Sequence, residues 1–294
     1  MPGKNFIGTG VAIVTPFRKD DSIDFKALAN LIEHLISKNV EYLVVLGTTG
    51  ETPTLSKDEK KAVTNFVIEA ADKRVPIVVG MGGNNTQDII SKIKKAKFDG
   101  IDAILSVSPY YNKPSQKGLY SHYKAIATAS PVPVIIYNVP GRTGSNISAD
   151  TVVRLAHDLP GQFLGIKEAS GNFNQIMNII RDKPDDFLVI SGDDAITLPM
   201  ISLGAHGAIS VVANAFPAEF SEMIRLALKN KYVEARELHF KLLEIIDNLF
   251  TEGNPSGIKA ALNIIGLTQN HVRLPLSPVS RSTYNKLAEL IKEL

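Results

Sequence analysis

The sequence predicts an α/β protein, a (β/α)8 TIM barrel with a C-terminal helical extension, and three observations carry that prediction. Short Val/Ile/Leu-rich runs alternate with longer stretches of helical period about eight times, at the roughly 30-residue spacing of a βαβ unit. Most of the short runs are continuously apolar, as in Pro76-Ile77-Val78-Val79 and Pro133-Val134-Ile135-Ile136. A strand with one wet face would alternate, so these strands are buried on both faces, as in a parallel sheet under helices. An open doubly wound sheet and a closed barrel both meet that condition, and about eight units favour the barrel, which takes roughly 250 residues. The third observation is that the chain continues past the eighth unit with helical pattern only. Residues 1–230 therefore read as the barrel and 231–294 as the helical region, there for packing or assembly.

The elements follow in order. The first strand is expected at 10–15, ended by Thr15-Pro16. A helix at 24–38 has Asp24 as N-cap and Leu28, Leu31, Ile32, Leu35 and Ile36 on one face. Strand 42–46 stops at Gly47. The helix at 56–73 opens on Ser56 with Glu59 three residues on, a capping-box spacing. Strands are then expected at 76–80, 102–107, 133–138, 163–167, 187–191 and 207–212. Helices separate them at 86–97, 116–129, 149–158, 173–182 and 195–203, and another follows at 217–230. Helices at 232–250, 256–265 and 282–293 complete the extension.

Composition narrows the chemistry. The 294 residues include no cysteine, which excludes disulfides, a thiol nucleophile and thiolate metal ligation. Zero cysteine also fits a reducing cytosol, and a cytoplasmic location is expected. Lys and Arg number 32 against 30 Asp and Glu, a balance that gives no reason to expect nucleic acid or a membrane surface as partner. No apolar run approaches the ~18 residues of a membrane span, and the N-terminal apolar run ends too early for a signal peptide. Clustered Lys92, Lys94, Lys95 and Lys97 read as a solvated helix face. The six histidines lack metal-ligand spacing, and Asp193-Asp194 has no convincing third ligand, so no metal is expected. Asn85 stands where a dinucleotide fingerprint after Gly80-Met81-Gly82-Gly83 needs its last glycine, so no cofactor is expected either.

In a barrel, chemistry gathers at the C-terminal ends of the strands. Lys167 interrupts the apolar run Phe163-Leu164-Gly165-Ile166 there. An ammonium facing an apolar interior is costly unless paired, and a lysine amine held neutral condenses with carbonyls to a Schiff base. A lysine turned outward and snorkelling to solvent is the other reading of the same pattern. Tyr137 ends the preceding strand, ~4.8 Å away in a parallel sheet, where its hydroxyl can pass protons or simply bond a carbonyl. Thr48 and Thr49, between Gly47 and Gly50, offer hydroxyls and close-approaching N–H groups suited to a carboxylate, or merely form a turn. Arg142, in Gly141-Arg142-Thr143-Gly144, is either a bidentate carboxylate clamp or a surface ion-pair partner. Tyr110-Tyr111 reads as loop packing or a subunit contact, and Glu51 as a holder of its loop.

Three segments, Gly47-Thr48-Thr49-Gly50-Glu51, Tyr137-Asn138-Val139-Pro140-Gly141-Arg142-Thr143-Gly144 and Gly165-Ile166-Lys167-Glu168, together resemble the dihydrodipicolinate synthase family (4-hydroxy-tetrahydrodipicolinate synthase). The resemblance runs from Gly10 to the C-terminal helices. It implies a (β/α)8 barrel, usually a homotetramer built of two tight dimers, that condenses pyruvate with aspartate semialdehyde on the way to diaminopimelate and lysine. It implies Lys167 as the Schiff-base lysine and Tyr137 as proton donor and acceptor. Thr48 and Tyr111 would complete a proton relay, with Tyr111 reaching in from a neighbouring subunit. Thr49 would bind the pyruvate carboxylate with the backbone of Ile209, Arg142 would receive the semialdehyde carboxylate, and the backbone of Gly192 would line the pocket. Members strongly inhibited by lysine carry histidine where this chain has Lys57 and Lys60, although an acidic residue near Asp88 is retained. Weak lysine feedback is therefore expected, and a sub-millimolar inhibition constant would overturn that. Two alternatives stand beside this reading. One is another Schiff-base pyruvate aldolase, such as a sialic acid lyase-like enzyme; the other is a catalytically silent barrel that binds a small acid.

Overall fold

Eight parallel strands close into a barrel in sequence order in the computed structural model, which describes residues 2–294. The strands are β1 (Gly8–Ala12), β2 (Tyr42–Val45), β3 (Ile77–Gly80), β4 (Ala103–Val107), β5 (Val134–Asn138), β6 (Phe163–Glu168), β7 (Leu188–Ser191) and β8 (Gly207–Ser210). β8 pairs back onto β1, with Gly8 opposite Gly207 and Gly10 opposite Ile209. The helices laid around them are α1 (Phe25–Ser37), α2 (Lys57–Ala71), α3 (Thr86–Lys95), α4 (Gln116–Ala129), the single turn α5 (Pro140–Thr143), α6 (Ala149–Asp158), α7 (Phe173–Asp182), α8 (Thr197–Ser202) and α9 (Pro217–Leu228). Three more follow: α10 (Tyr232–Phe250), α11 (Ser256–Ile264) and α12 (Arg281–Glu293). No described helix is long and apolar enough to cross a membrane.

The strands bury both faces, which is why their sequences do not alternate. On β5, Ile135 and Tyr137 belong to the apolar cluster inside the barrel, whereas Val134 and Ile136 belong to the cluster beneath the helices. The inside cluster also holds Phe6, Tyr42, Val44, Leu105 and Ile190. The caps read from sequence are formed. Asp24 accepts from the Ala27 N–H at 3.1 Å, and Ser56 and Glu59 make a reciprocal capping box.

The first strand lies two residues before its expected start and ends at Ala12. Its opening Gly8-Thr9-Gly10 lacks the apolar signal because Tyr42 fills the space beside it. A Cβ on Gly10 would lie 2.1 Å from the Tyr42 ring. Its end is set by the Asn214 side chain, which donates to the Ala12 carbonyl at 2.8 Å and accepts from the Val14 N–H at 3.2 Å. A side chain thus replaces the neighbouring strand, so Ile13 and Val14 are buried without being strand. The eighth strand likewise stops at Ser210 rather than 212, because the buried Asp194 carboxylate takes the N–H groups of Val211 and Val212. Residues 140–143, expected as loop, form a helical turn closed by Gly144 at φ 69°.

Candidate active site

The β5 and β6 register places Tyr137 directly opposite Lys167. Both face the barrel interior, 6% and 5% exposed, and the Lys167 Nζ sits 4.4 Å from the centre of the Tyr137 ring. The outward-turned reading of Lys167 is thereby excluded. No carboxylate among the described residues pairs with it. Its neighbour Glu168, on the other face of the strand, is held by Asn138 Nδ2, Gln175 Nε2 and the Ser170 N–H at 3.1, 3.1 and 2.7 Å. Gly192, past the end of β7, leaves Lys167 its room. A Cβ there would lie 3.0 Å from Lys167 Cε and 2.8 Å from Ala169 Cβ.

These residues line a cavity of about 560 Å³ at the C-terminal end of the barrel. Thr48, Thr49, Tyr137, Arg142, Lys167 and Gly192 all reach its wall. Two expected residues do not. Ile209 is buried in the barrel interior, and Val211 lines the cavity from that strand end instead. Tyr111 is 89% exposed on the outer surface, with φ 74°. A bulky residue rarely holds that left-handed backbone, and here it is fixed by the Tyr111 N–H donating to the Thr143 carbonyl at 3.3 Å. The same loop receives the Ser145 hydroxyl on the Pro109 carbonyl at 2.6 Å, so the segments carrying Tyr111 and Arg142 are tied together. The exposed Arg142 stands on the one-turn α5, and the loop beyond it is anchored by the Asn138 side chain, which accepts from the Ile147 N–H at 3.1 Å.

The Thr48–Gly50 turn is held from the far end of the chain. Glu51 closes it in a left-handed conformation at φ 53° and is buried. Its carboxylate pairs with fully buried Lys259 on α11 and accepts from the Arg273 N–H at 3.0 Å. Burial pulls the Lys259 amine below the ordinary lysine value, and Glu51 opposes that shift. Lys259 also donates to the His271 carbonyl at 2.9 Å and lies over the Phe17 ring. Glu51 is thus a loop holder. Sequence reasoning missed its partner: Lys259 sits in a helical pattern with no sign that its side chain is fully enclosed.

Sequence reasoning also missed what the C-terminal region adds to the cavity. Ile246, Asp247, Phe250, Thr251 and Asn254 line it. They get there because α10 packs on α9 and on the 194–196 turn, which brings its C-terminal end over the barrel mouth. No local pattern announces that placement. A separate depression of about 620 Å³, lined by Arg18, Asn263 and His271 among others, shares none of the cavity residues. Among the described residues, no cluster of three or more His, Asp or Glu is placed to hold a metal ion.

The chain matches the Dihydrodipicolinate synthetase family over residues 5–294. It is 51% identical over 294 residues to the 4-hydroxy-tetrahydrodipicolinate synthase of Parabacteroides distasonis, covering 100% of this chain and 99% of that one. It is 53% identical over 289 residues to the enzyme of the same name from Flavobacterium psychrophilum, covering 98% of each. Among solved structures, the chloride-inhibited dihydrodipicolinate synthase of Acinetobacter baumannii complexed with pyruvate superposes with a TM-score of 0.94 at 43% identity, covering 98% of both chains. The match runs through the C-terminal helices that complete the cavity. The chain belongs to the dihydrodipicolinate synthetase family.

Proposed function

We propose that the protein condenses pyruvate with aspartate semialdehyde, as a 4-hydroxy-tetrahydrodipicolinate synthase. The observation that carries this is Lys167, an amine enclosed beside Tyr137 in a cavity whose rim presents Arg142. The Lys167 amine attacks the pyruvate ketone and water leaves, giving an imine. Loss of a methyl proton converts the imine to an enamine. The enamine carbon adds to the aldehyde of aspartate semialdehyde, whose oxygen takes up a proton. The substrate amine then adds to the imine carbon, closes the ring and expels Lys167.

Tyr137 is the proton donor and acceptor in this reading, because it is the hydroxyl-bearing side chain opposite Lys167. Thr48 and Tyr111 extend the relay. The exposed position of Tyr111 fits a partner subunit's cavity better than its own, in keeping with the expected homotetramer. Thr49 and the Ile209 backbone take the pyruvate carboxylate, Arg142 takes the semialdehyde carboxylate, and Gly192 lines the pocket. Arg142 suits a short acid acceptor better than the polyol of a sialic acid lyase-like substrate, and an enclosed amine is more than a silent binder of acids needs. The division into a barrel at 1–230 and a helical region at 231–294 belongs to this reading, as does a cytoplasmic location.

Incubation with pyruvate followed by borohydride reduction tests the proposal by mass. The protein should gain one reduced pyruvyl adduct, and Lys167→Ala should gain none. An adduct that survives Lys167→Ala, or its absence in the unaltered protein, overturns the covalent step. Turnover with aspartate semialdehyde then identifies the acceptor.

A further inference from the structure

Thr49 lines the cavity, and the group that bonds its hydroxyl comes from 205 residues along the chain. Asn254 Nδ2, from the segment after α10, donates to Thr49 Oγ1 at 3.1 Å. Asn254 is 7% exposed and Thr49 is 2% exposed. A hydroxyl has one proton to give and lone pairs to receive. With its oxygen occupied by the Asn254 amide, the Thr49 proton is free to point elsewhere. No acceptor among the described residues takes it. The Asn254 Oδ1 is buried and finds no donor, so the bond to Thr49 is the one hydrogen bond this amide makes among the described residues. A buried polar atom left unpaired is destabilising, which marks this as a position where packing alone would favour a different residue. The Glu51–Lys259 ion pair and the Arg273 N–H keep the two segments in register, so the contact is between fixed elements.

We infer that Asn254 is a positioning residue for the keto-acid carboxylate. It acts through Thr49, by occupying the hydroxyl oxygen and so directing the single hydroxyl proton toward the anion in the cavity. The inference rests on the proposed pyruvate chemistry and assigns the C-terminal region a part in substrate recognition.

The test is a titration of pyruvate with borohydride trapping, read as the concentration that gives half-maximal adduct. Asn254→Ala should raise it by about threefold to tenfold, the worth of one hydrogen bond. The kcat at saturating pyruvate and the KM for aspartate semialdehyde should stay near their original values. In a Thr49→Val background, Asn254→Ala should add nothing further, since its route to the anion is gone. An unchanged half-saturation, an equal shift in the Thr49→Val background, or a parallel loss in every kinetic constant overturns the inference. If Asn254→Ala does not fold, Asn254→Ser carries the same expectations; if neither folds, the residue is structural and the inference falls. Absence of any adduct in the unaltered protein would instead sink the pyruvate reading itself.

Discussion

At Lys167 the decisive fact is steric as much as chemical. The amine needs an enclosed but uncrowded place, and Gly192 supplies it by having no side chain. Gly192→Ala would press a methyl group against Lys167 Cε at 3.0 Å and Ala169 Cβ at 2.8 Å. Overpacking of this kind costs about 1–3 kcal/mol, and a displacement of about 1 Å at a reacting group can cost a hundredfold in rate. We expect pyruvate trapping to slow by roughly tenfold to a hundredfold while the melting temperature falls only modestly. Trapping at the original rate would show that Lys167 can reach its target from elsewhere. The sequence marked Lys167 and Tyr137 well, because a charge in an apolar strand and a tyrosine at the end of the next strand are local signals. It marked Asn254 not at all, since an asparagine in a turn after a helix looks like any other.

At the level of elements, the threonine turn and the C-terminal helices behave as one unit. Glu51, Lys259 and Arg273 come from three segments and meet out of water. Arg273 extends the join by bonding Glu59 on α2 and the carbonyls of Asp21 and Thr54. Its guanidinium holds the Glu59 carboxyl down to about 2. Removing one partner of a buried ion pair leaves the other charge enclosed, which costs about 3–5 kcal/mol. Lys259→Met should therefore destabilise by about that much, measured by denaturant unfolding, because Glu51 keeps only the Arg273 N–H. A loss within a few tenths of a kcal/mol would mean that the pair is not what holds the turn. Glu51 was legible as a loop holder from its place after Thr-Thr-Gly. Its partner was not, since 208 positions separate Glu51 from Lys259 and only the fold brings them together.

For the whole molecule, pH acts through histidines that the fold keeps neutral. His34, His122, His206 and His239 are all held below the ordinary 6.5, with burial the largest cause in each. His122 is the furthest displaced, at about 4, and its Nδ1 lies 2.8 Å from the Thr86 hydroxyl. Between about 4 and 6.5 the unfolded chain binds a proton at this site that the folded chain refuses. Stability from His122 is thus full above 6.5 and is lost as pH falls toward 4. His122→Asn keeps a polar atom for Thr86 and cannot take up that proton. Its stability deficit relative to the unaltered protein should shrink as the pH is lowered through this window, followed by denaturant midpoints at a series of pH values. A deficit that stays constant would place the His122 titration outside the window. Asp194 titrates in the opposite sense, pushed up to about 6 by burial, and cancels from the comparison.

The amino-acid sequence by itself determined the closed parallel barrel, its element order and the main nucleophile candidate. Those rest on short-range regularities: continuous apolar strands, helical period, caps, and one charge where none should be. The family resemblance came from three contiguous segments of the same local kind. Tertiary structure alone decided that α10 covers the barrel mouth, that Asn254 meets Thr49, that Lys259 lies under Glu51 and that Asn214 ends the first strand. The last three are contacts between residues some two hundred positions apart, and all four are set by how the elements pack and not by any neighbour in the chain. The helical region that read as packing or assembly therefore also forms a wall of the cavity.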